Sequence, residues 1–268
     1  MNTKYDNILK IYIQKLKYFR YSERTISSYY HYVFKFLEYT GKYSQHLVSS
    51  DFQSYLDNFN FSSSSQQNQI ISSIKFLYEK VLNKKYNKIS FERPRKEKKL
   101  PRIIDKNLLA NKINSIENLK HKAILSLAYC CALRVSEVIN LKIDDVDSNR
   151  MLIHIRNAKG NKERYVPISE SVLITLRRYY KLFLPNTYLF NGQFENIYSS
   201  SSCNKIVKKY LGFSYHFHLL RHSGLTHMLE NGTDIRTLQV IAGHKNVNTT
   251  SIYCHVSKQL LSNVKLPI

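Results

Sequence analysis

Arg134, Lys159, His218, Arg221, His244 and Tyr253 follow one another through the second half of the chain, and their types suit transesterification of a phosphodiester without a metal ion. His218 and Arg221 stand three apart, so on a helix they project from one face and a phosphate fits between them. A guanidinium donates two parallel bonds to phosphate oxygens at any working pH, and imidazole donates whether neutral or cationic. The bland reading of the same spacing is a surface pair. Arg134 separates two apolar stretches, where a cation needs a carboxylate. Glu137, three residues on, either orients it for a ligand or forms a plain structural ion pair. Lys159, beside Gly160 in an expected turn, suits proton donation to a leaving oxygen if its surroundings lower its pKa. Lys162 is its rival in the same turn, and both could equally touch backbone phosphate or nothing. Tyr253 is one of 21 tyrosines, so its abundance says nothing. A tyrosine nucleophile must lose a proton from a pKa of about 10, which neighbouring cations favour. Gly243-His244, nine residues earlier, begins a turn and offers one more phosphate donor.

Other routes to phosphodiester chemistry lack their residues. The sequence has no Walker loop, no H-E-x-x-H, no acid-rich metal cluster and no G-x-S-x-G, so neither a cofactor nor a metal is expected. The remaining way to break the bond without losing its energy is to store it on a side chain. Charge points to the substrate class: 41 Lys and Arg against 19 Asp and Glu give +22, which favours a polyanion such as nucleic acid. The longest uncharged apolar run, Ala123 to Leu133, is far below the roughly 20 residues of a spanning helix, and MNTKYDN is no signal peptide; a cytoplasmic protein is expected. Cys130, Cys131, Cys203 and Cys254 form no C-x-x-C pair and read as reduced thiols.

These residues need a scaffold, and 268 residues at 43% hydrophobic content suffice for one large domain or two ordinary ones. Residues 1–92 read as helices only. Leu9, Ile13 and Leu16 form one stripe; Ile26, Tyr30, Val33 and Leu37 form a second, between a Ser22 N-cap and Gly41 at C′. A third helix begins after Ser50, and Ile70, Ile74, Leu77 and Val81 make the fourth stripe. Such helices with short connections predict a small bundle. Residues 93–102, RPRKEKKLPR, hold six basic residues and two prolines; they read as an extended linker in which Arg93, Arg95, Lys96, Lys98 and Lys99 could lie along phosphates or simply be solvated. Beyond it, residues 103–268 predict a helix capped by Asp105, a buried helix through AILSLAYCCAL, a short one over Val135 to Leu141, and a hairpin of Met151–Arg156 with Arg164–Ile168. Helices then follow over Ser169–Phe183, Ser200–Tyr210, Leu219–Glu230 and Ile235–Ala242, with a short one near Thr249 and a short strand at TYLF. The fold class is mainly α in two domains, the second α+β with a small antiparallel sheet. After Tyr253, Val256, Leu260, Leu261 and Val264 form a short apolar face that docks on its own domain or a neighbour.

Taken together, CALRVSEVINL, KGNKERYVPIS, HLLRHSGLTHMLENGTDIRTLQVIAGH and TTSIYCHVS resemble the tyrosine recombinase (phage integrase) family, closest to its bacterial Xer and integron-integrase-like branch. YSERTISSYYHYVFKFLEYTG is similar to that family's SAM-like core-binding domain, so the resemblance covers nearly the whole chain. It implies that Arg134 and Arg221 hold the scissile phosphate, that His218 and His244 assist as donors or proton carriers, and that Tyr253 forms a 3′-phosphotyrosyl bond with Lys159 as general acid. It also implies double-stranded DNA with paired inverted repeats as substrate, a homotetramer on DNA, and a sister recombinase or accessory protein as a further partner. Cys131-Ala132, Ala242-Gly243-His244 and HSGLTH depart from the usual pattern without removing a catalytic side chain. Two other readings stand beside it: nicking and closing in the manner of a type IB topoisomerase, which uses the same residue classes, and an architectural DNA-binding protein that has lost catalysis, against which the intact six-residue set counts.

Overall fold

In the computed structural model, which describes residues 4–84, 93–94, 100–158, 162–192 and 197–257, the apolar stripes lie on helices. The chain divides into two compact units, Met1–Lys98 and Lys99–Ile268. In the first, α1 spans Asp6–Tyr18, α2 Glu23–Thr40, α3 Ser49–Asp57 and α4 Ser64–Phe76, the last continued by a π-helical turn over Leu77–Val81. Ser22 Oγ accepts the Thr25 N–H at 3.2 Å to open α2, and Gly41, at φ +63°, closes it. The left-handed backbone there suits glycine, which has no Cβ to clash.

Two stripe positions differ from expectation. Tyr12, not Ile13, fills the centre beside Leu9 and Leu16, because its hydroxyl donates to the Ser73 carbonyl of α4 at 2.9 Å and so satisfies its polar end while the ring is buried. Tyr30 stays at the surface stacked on Phe34, while Phe36 enters the core and meets Tyr55 edge to face at 5.4 Å. α3 starts at Ser49 rather than after Ser50, since the Asp51 carboxylate accepts the Val48 N–H at 2.9 Å.

The second unit is α+β, as the patterning predicts. α5 (Lys106–Asn114) is capped by Asp105, whose carboxylate accepts the Leu108 N–H at 2.9 Å. α6 (Leu119–Cys130) and the short α7 (Val135–Ile139) follow. The expected hairpin forms as β2 (Leu152–Ala158) and β3 (Lys162–Pro167), and β1 (Val146–Asp147) adds a third antiparallel strand on the far side of β2. Register pairs Ile153 with Val166 and Ile155 with Arg164. Lys162, expected in the turn, instead opens β3 opposite Ala158. α8 (Glu170–Phe183), α9 (Ser200–Leu211), α10 (Phe217–Glu230) and α11 (Ile235–Ala242) follow; α8 and α10 pack on α6, and α11 packs on α10 and β3, before 3-10 turns at Val247–Thr249 and Ser251–Tyr253. All four cysteines carry free thiols.

TYLF is not a strand. Only Tyr188 bridges Lys142, flanked by backbone bonds from Ile143 to Thr187 and from Leu189 to Leu141. The partner segment bends at once into a 3-10 turn, Ile143–Asp145, so the ladder cannot extend.

α10 organises the second unit, being buried on nearly every side. Its first N–H, on Phe217, is taken by Asn204 Oδ1 of α9 at 3.0 Å, so the helix starts two residues before the expected Leu219. At Gly224 it lies against α6 so closely that a Cβ would stand 2.1 Å from the Tyr129 carbonyl oxygen. Among the described residues no helix is long and apolar enough to cross a membrane.

Candidate active site

Three arginines converge on one carboxylate. Glu137, on α7, accepts from Arg134 Nη1 at 2.7 Å and the Arg134 backbone N–H at 2.8 Å, and from both Nη atoms of Arg164 at 2.9 Å each. Arg221 Nη1 lies 3.7 Å from the same carboxylate. The arginines are also tied to backbone carbonyls. Arg221 donates to Ala132 at 2.6 Å and to Ala242, which also accepts from Arg134 at 3.1 Å; Arg164 Nε donates to Ile241 at 2.8 Å. The last turn of α11 thus presents its free carbonyls to guanidinium groups, the favourable pole for a cation. Three guanidiniums against one carboxylate (3 − 1) leave the cluster with a net charge of +2.

Burial pushes Glu137 toward the neutral acid, but hydrogen bonds and charge from Arg164, then Arg134, overcome it and hold the carboxyl at about 2. Arg221, 1% exposed, is lowered to about 10 by burial and then by Arg134, and so remains a cation at neutral pH.

The other groups arrive from α10 and from the segment after α11. Gly243, at φ +59°, ends α11 and packs on the Arg164 side chain, where a Cβ would lie 3.2 Å from Cδ. This turn delivers His244, whose Nδ1 pairs with Thr250 Oγ1 at 3.0 Å and whose Nε2 lies 3.4 Å from Arg221 Nη2. The 3-10 turn at Ser251–Tyr253 then places the Tyr253 hydroxyl 3.1 Å from His222 Nδ1, with the His244 ring parallel to the tyrosine ring at 6.4 Å. His218 meets His222 edge to face at 4.4 Å. Arg134, His218, Arg221, His222, His244 and Tyr253 share the wall of one cavity of ≈ 660 Å³.

The imidazoles are held neutral. Burial, then Arg221 and Arg134, lower His244 to about 4; burial, then His218 and Arg221, lower His222 to about 4; burial, then Arg221, lower His218. Tyr253 is raised, because burial outweighs the pull of Arg221 and Arg134. The neighbouring cations, expected to favour loss of the tyrosine proton, therefore do not by themselves offset its burial.

Of the sequence-derived residues, Arg134, Glu137, His218, Arg221, His244 and Tyr253 come together here. Arg93 lies in the other unit, with Nη1 donating to Asn68 Oδ1 at 2.9 Å. Lys159, Arg95, Lys96, Lys98, Lys99, Leu260, Leu261 and Val264 fall outside the described residues. Two contributors were missed. Alternation in RYVPI puts Arg164 on the inward face with Val166 and Ile168, an arginine facing a core. His222 follows His218 by one helical turn, a spacing that already puts both rings on one face.

Comparison with known proteins places the chain in a family. The phage integrase family model matches residues 98–259, and the model of its N-terminal SAM-like domain matches residues 8–88. The chain belongs to the phage integrase family. Among its relatives, tyrosine recombinase XerC of Staphylococcus epidermidis is 31% identical over 97% of this chain and 96% of its own length. Tyrosine recombinase XerA of Pyrococcus horikoshii is 40% identical over 62% of each protein. A XerA crystal structure aligns over 96% of both chains at 28% identity with a TM-score of 0.55. The XerH site-specific recombinase, in a pre-cleavage complex with its difH substrate, shares the fold: TM-score 0.71 at 22% identity over 88% of this chain and 77% of that one.

Proposed function

We propose that this member of the family is a site-specific DNA recombinase that cleaves and rejoins strands through a 3′-phosphotyrosyl intermediate on Tyr253. The observation that carries the reading is Tyr253 lining one cavity with two arginines and three histidines. Arg134 and Arg221, fixed by Glu137 and the Ala132 and Ala242 carbonyls, grip the scissile phosphate and neutralise charge on the pentacoordinate transition state. Donors set in place before the reaction need no reorganisation as that charge develops. His218 and His244 donate to the non-bridging oxygens or carry protons, and Lys159, in the connection between β2 and β3, protonates the leaving 5′-oxygen. The phosphotyrosyl bond keeps the energy of the phosphodiester, so a 5′-hydroxyl of a partner duplex reverses the step without ATP.

In this reading residues 1–92 are the core-binding domain, 93–102 the basic linker and 103–268 the catalytic domain. Arg93, Arg95, Lys96, Lys98, Lys99 and Lys162 lie along backbone phosphates, consistent with the net charge of +22. The enzyme works in the cytoplasm as a homotetramer on paired inverted repeats, in integration, excision, inversion or resolution, with a sister recombinase or accessory protein as a further partner.

The test is a covalent protein–DNA complex on a denaturing gel, formed on a nicked duplex and made by the wild type but not by Tyr253→Phe. An adduct persisting in Tyr253→Phe moves the nucleophile elsewhere. Lys159→Ala should cleave ordinary DNA slowly and be rescued by a 5′-bridging phosphorothiolate, whose leaving group needs no acid; absence of rescue removes Lys159 from that role.

A further inference from the structure

We propose that His222 is the general base of the strand-cleaving step, its Nδ1 taking the Tyr253 proton as the phenolic oxygen attacks phosphorus. The inference rests on the reading of Tyr253 as nucleophile. Its geometric basis is the 3.1 Å approach of His222 Nδ1 to the Tyr253 hydroxyl, within the reach a general base requires. The other imidazole ring that meets Tyr253 is occupied: His244 has Nδ1 on Thr250 and Nε2 toward Arg221, and it meets Tyr253 only face to face.

His222 is also oriented for the task. It follows the buried Arg221 on α10, and His218, one turn earlier, packs its ring edge against it. The groups facing His222 are His216, His218 and Arg221 from its own helix and Tyr253 and His244 from the terminal segment. Among these neighbours the charged one is cationic, which together with burial keeps the ring neutral and its lone pair free. A neutral imidazole accepting at Nδ1 carries its proton on Nε2.

The step balances. The Tyr253 O–H bond breaks and its proton passes to Nδ1; the Oη–P bond forms; the P–O5′ bond breaks and the 5′-oxygen is protonated by the general acid. In rejoining, the 5′-hydroxyl returns its proton to the deprotonated general acid as its oxygen attacks phosphorus, the P–Oη bond breaks, and the imidazolium returns its proton to the departing tyrosine oxygen.

The test is single-turnover formation of the covalent complex on a nicked duplex that the full-length protein itself selects from a random-sequence pool. Wild type, His222→Gln, His222→Phe and Tyr253→Phe are compared, with DNA affinity measured by gel shift. The glutamine amide oxygen still accepts the tyrosine hydroxyl but cannot take its proton, and phenylalanine keeps the ring volume. Wild type should cleave at a rate independent of pH between about 6 and 9, whereas either His222 variant should be about 100-fold slower or worse at neutral pH and accelerate with hydroxide. A His222→Gln enzyme at the wild-type rate, or slowed by the same factor at every pH, overturns the assignment. Loss of DNA binding in both His222 variants also overturns it, in favour of a structural role. An adduct in Tyr253→Phe, or none in wild type, overturns the underlying reading of the nucleophile instead.

Discussion

Replacing Glu137 with glutamine removes the one carboxylate that the three arginines share while leaving its shape in place. The cost follows by two routes. Removing one partner of a buried ion pair leaves an uncompensated charge and typically costs about 3–5 kcal/mol. Here the stranded group is Arg164, whose side chain is 6% exposed and loses both of its 2.9 Å bonds to a carboxylate. Independently, the fall of the Glu137 pKa from 4.5 to about 2 on folding corresponds to about 3 kcal/mol of native-state preference for the ionised form. Because the folded value is the lower one, this contribution is complete above the unfolded pKa and is lost as pH falls through the folded one. The prediction is that Glu137→Gln is about 3 kcal/mol less stable at neutral pH, and that the gap between the two proteins narrows by about 1 kcal/mol by pH 3.5 or so. Urea unfolding followed by far-UV circular dichroism reads it, since the chain has no tryptophan. A gap below about 1 kcal/mol at neutral pH, or one that stays constant into acid, would refute the argument that this carboxylate's charge holds the cluster.

Gly224→Ala should drive a methyl into the Tyr129 carbonyl, which α6 cannot withdraw without breaking contact with α10. A loss of about 3 kcal/mol, or roughly 6–12 °C in melting temperature, is expected, and an unchanged melt would mean the helices separate freely. Gly243→Ala combines a strained left-handed backbone with crowding of Arg164, and should cost about 1–2 kcal/mol while slowing cleavage through displacement of His244; a variant matching wild type in both melt and cleavage would contradict this. The imidazoles of His222 and His244 should report neutral rings by NMR at mildly acidic pH and protonate only near 4, burial and the arginines opposing the charge; titration at the ordinary histidine value would contradict the neutral cluster. With folded values below the unfolded one, both histidines withdraw stability as pH falls from 6.5 toward 4. DNA affinity should decline steeply and log-linearly with salt concentration, as phosphate contacts release counterions.

Much of this was legible in the sequence because it is encoded locally. Ser22, Gly41 and Asp105 cap helices by bonds to residues three or four away, and the β2–β3 hairpin follows from two short apolar runs around a turn. The order of Arg134, His218, Arg221, His244 and Tyr253 likewise marks the site before their distances are known. What escaped depends on distant chain. The role of His222 appears only when Tyr253, 31 residues on, meets it, and that of Arg164 only when Glu137, 27 residues back, and Ile241, 77 residues on, close around it. The short strand expected at TYLF fails for the same reason: its composition is right, but a ladder needs a straight partner, and residues 141–143 turn away. Tyr12 displaces Ile13 because a buried hydroxyl found a carbonyl on another helix, which periodicity does not record.

The carbonyls of Ala132, Ile241 and Ala242 belong to the backbone, so no side-chain substitution deletes them. Part of the grip on Arg134, Arg164 and Arg221 is thus beyond the reach of single-codon change, whereas the tyrosine oxygen is one codon from extinction. Loss of the tyrosine oxygen should therefore leave all three guanidinium groups where they stand.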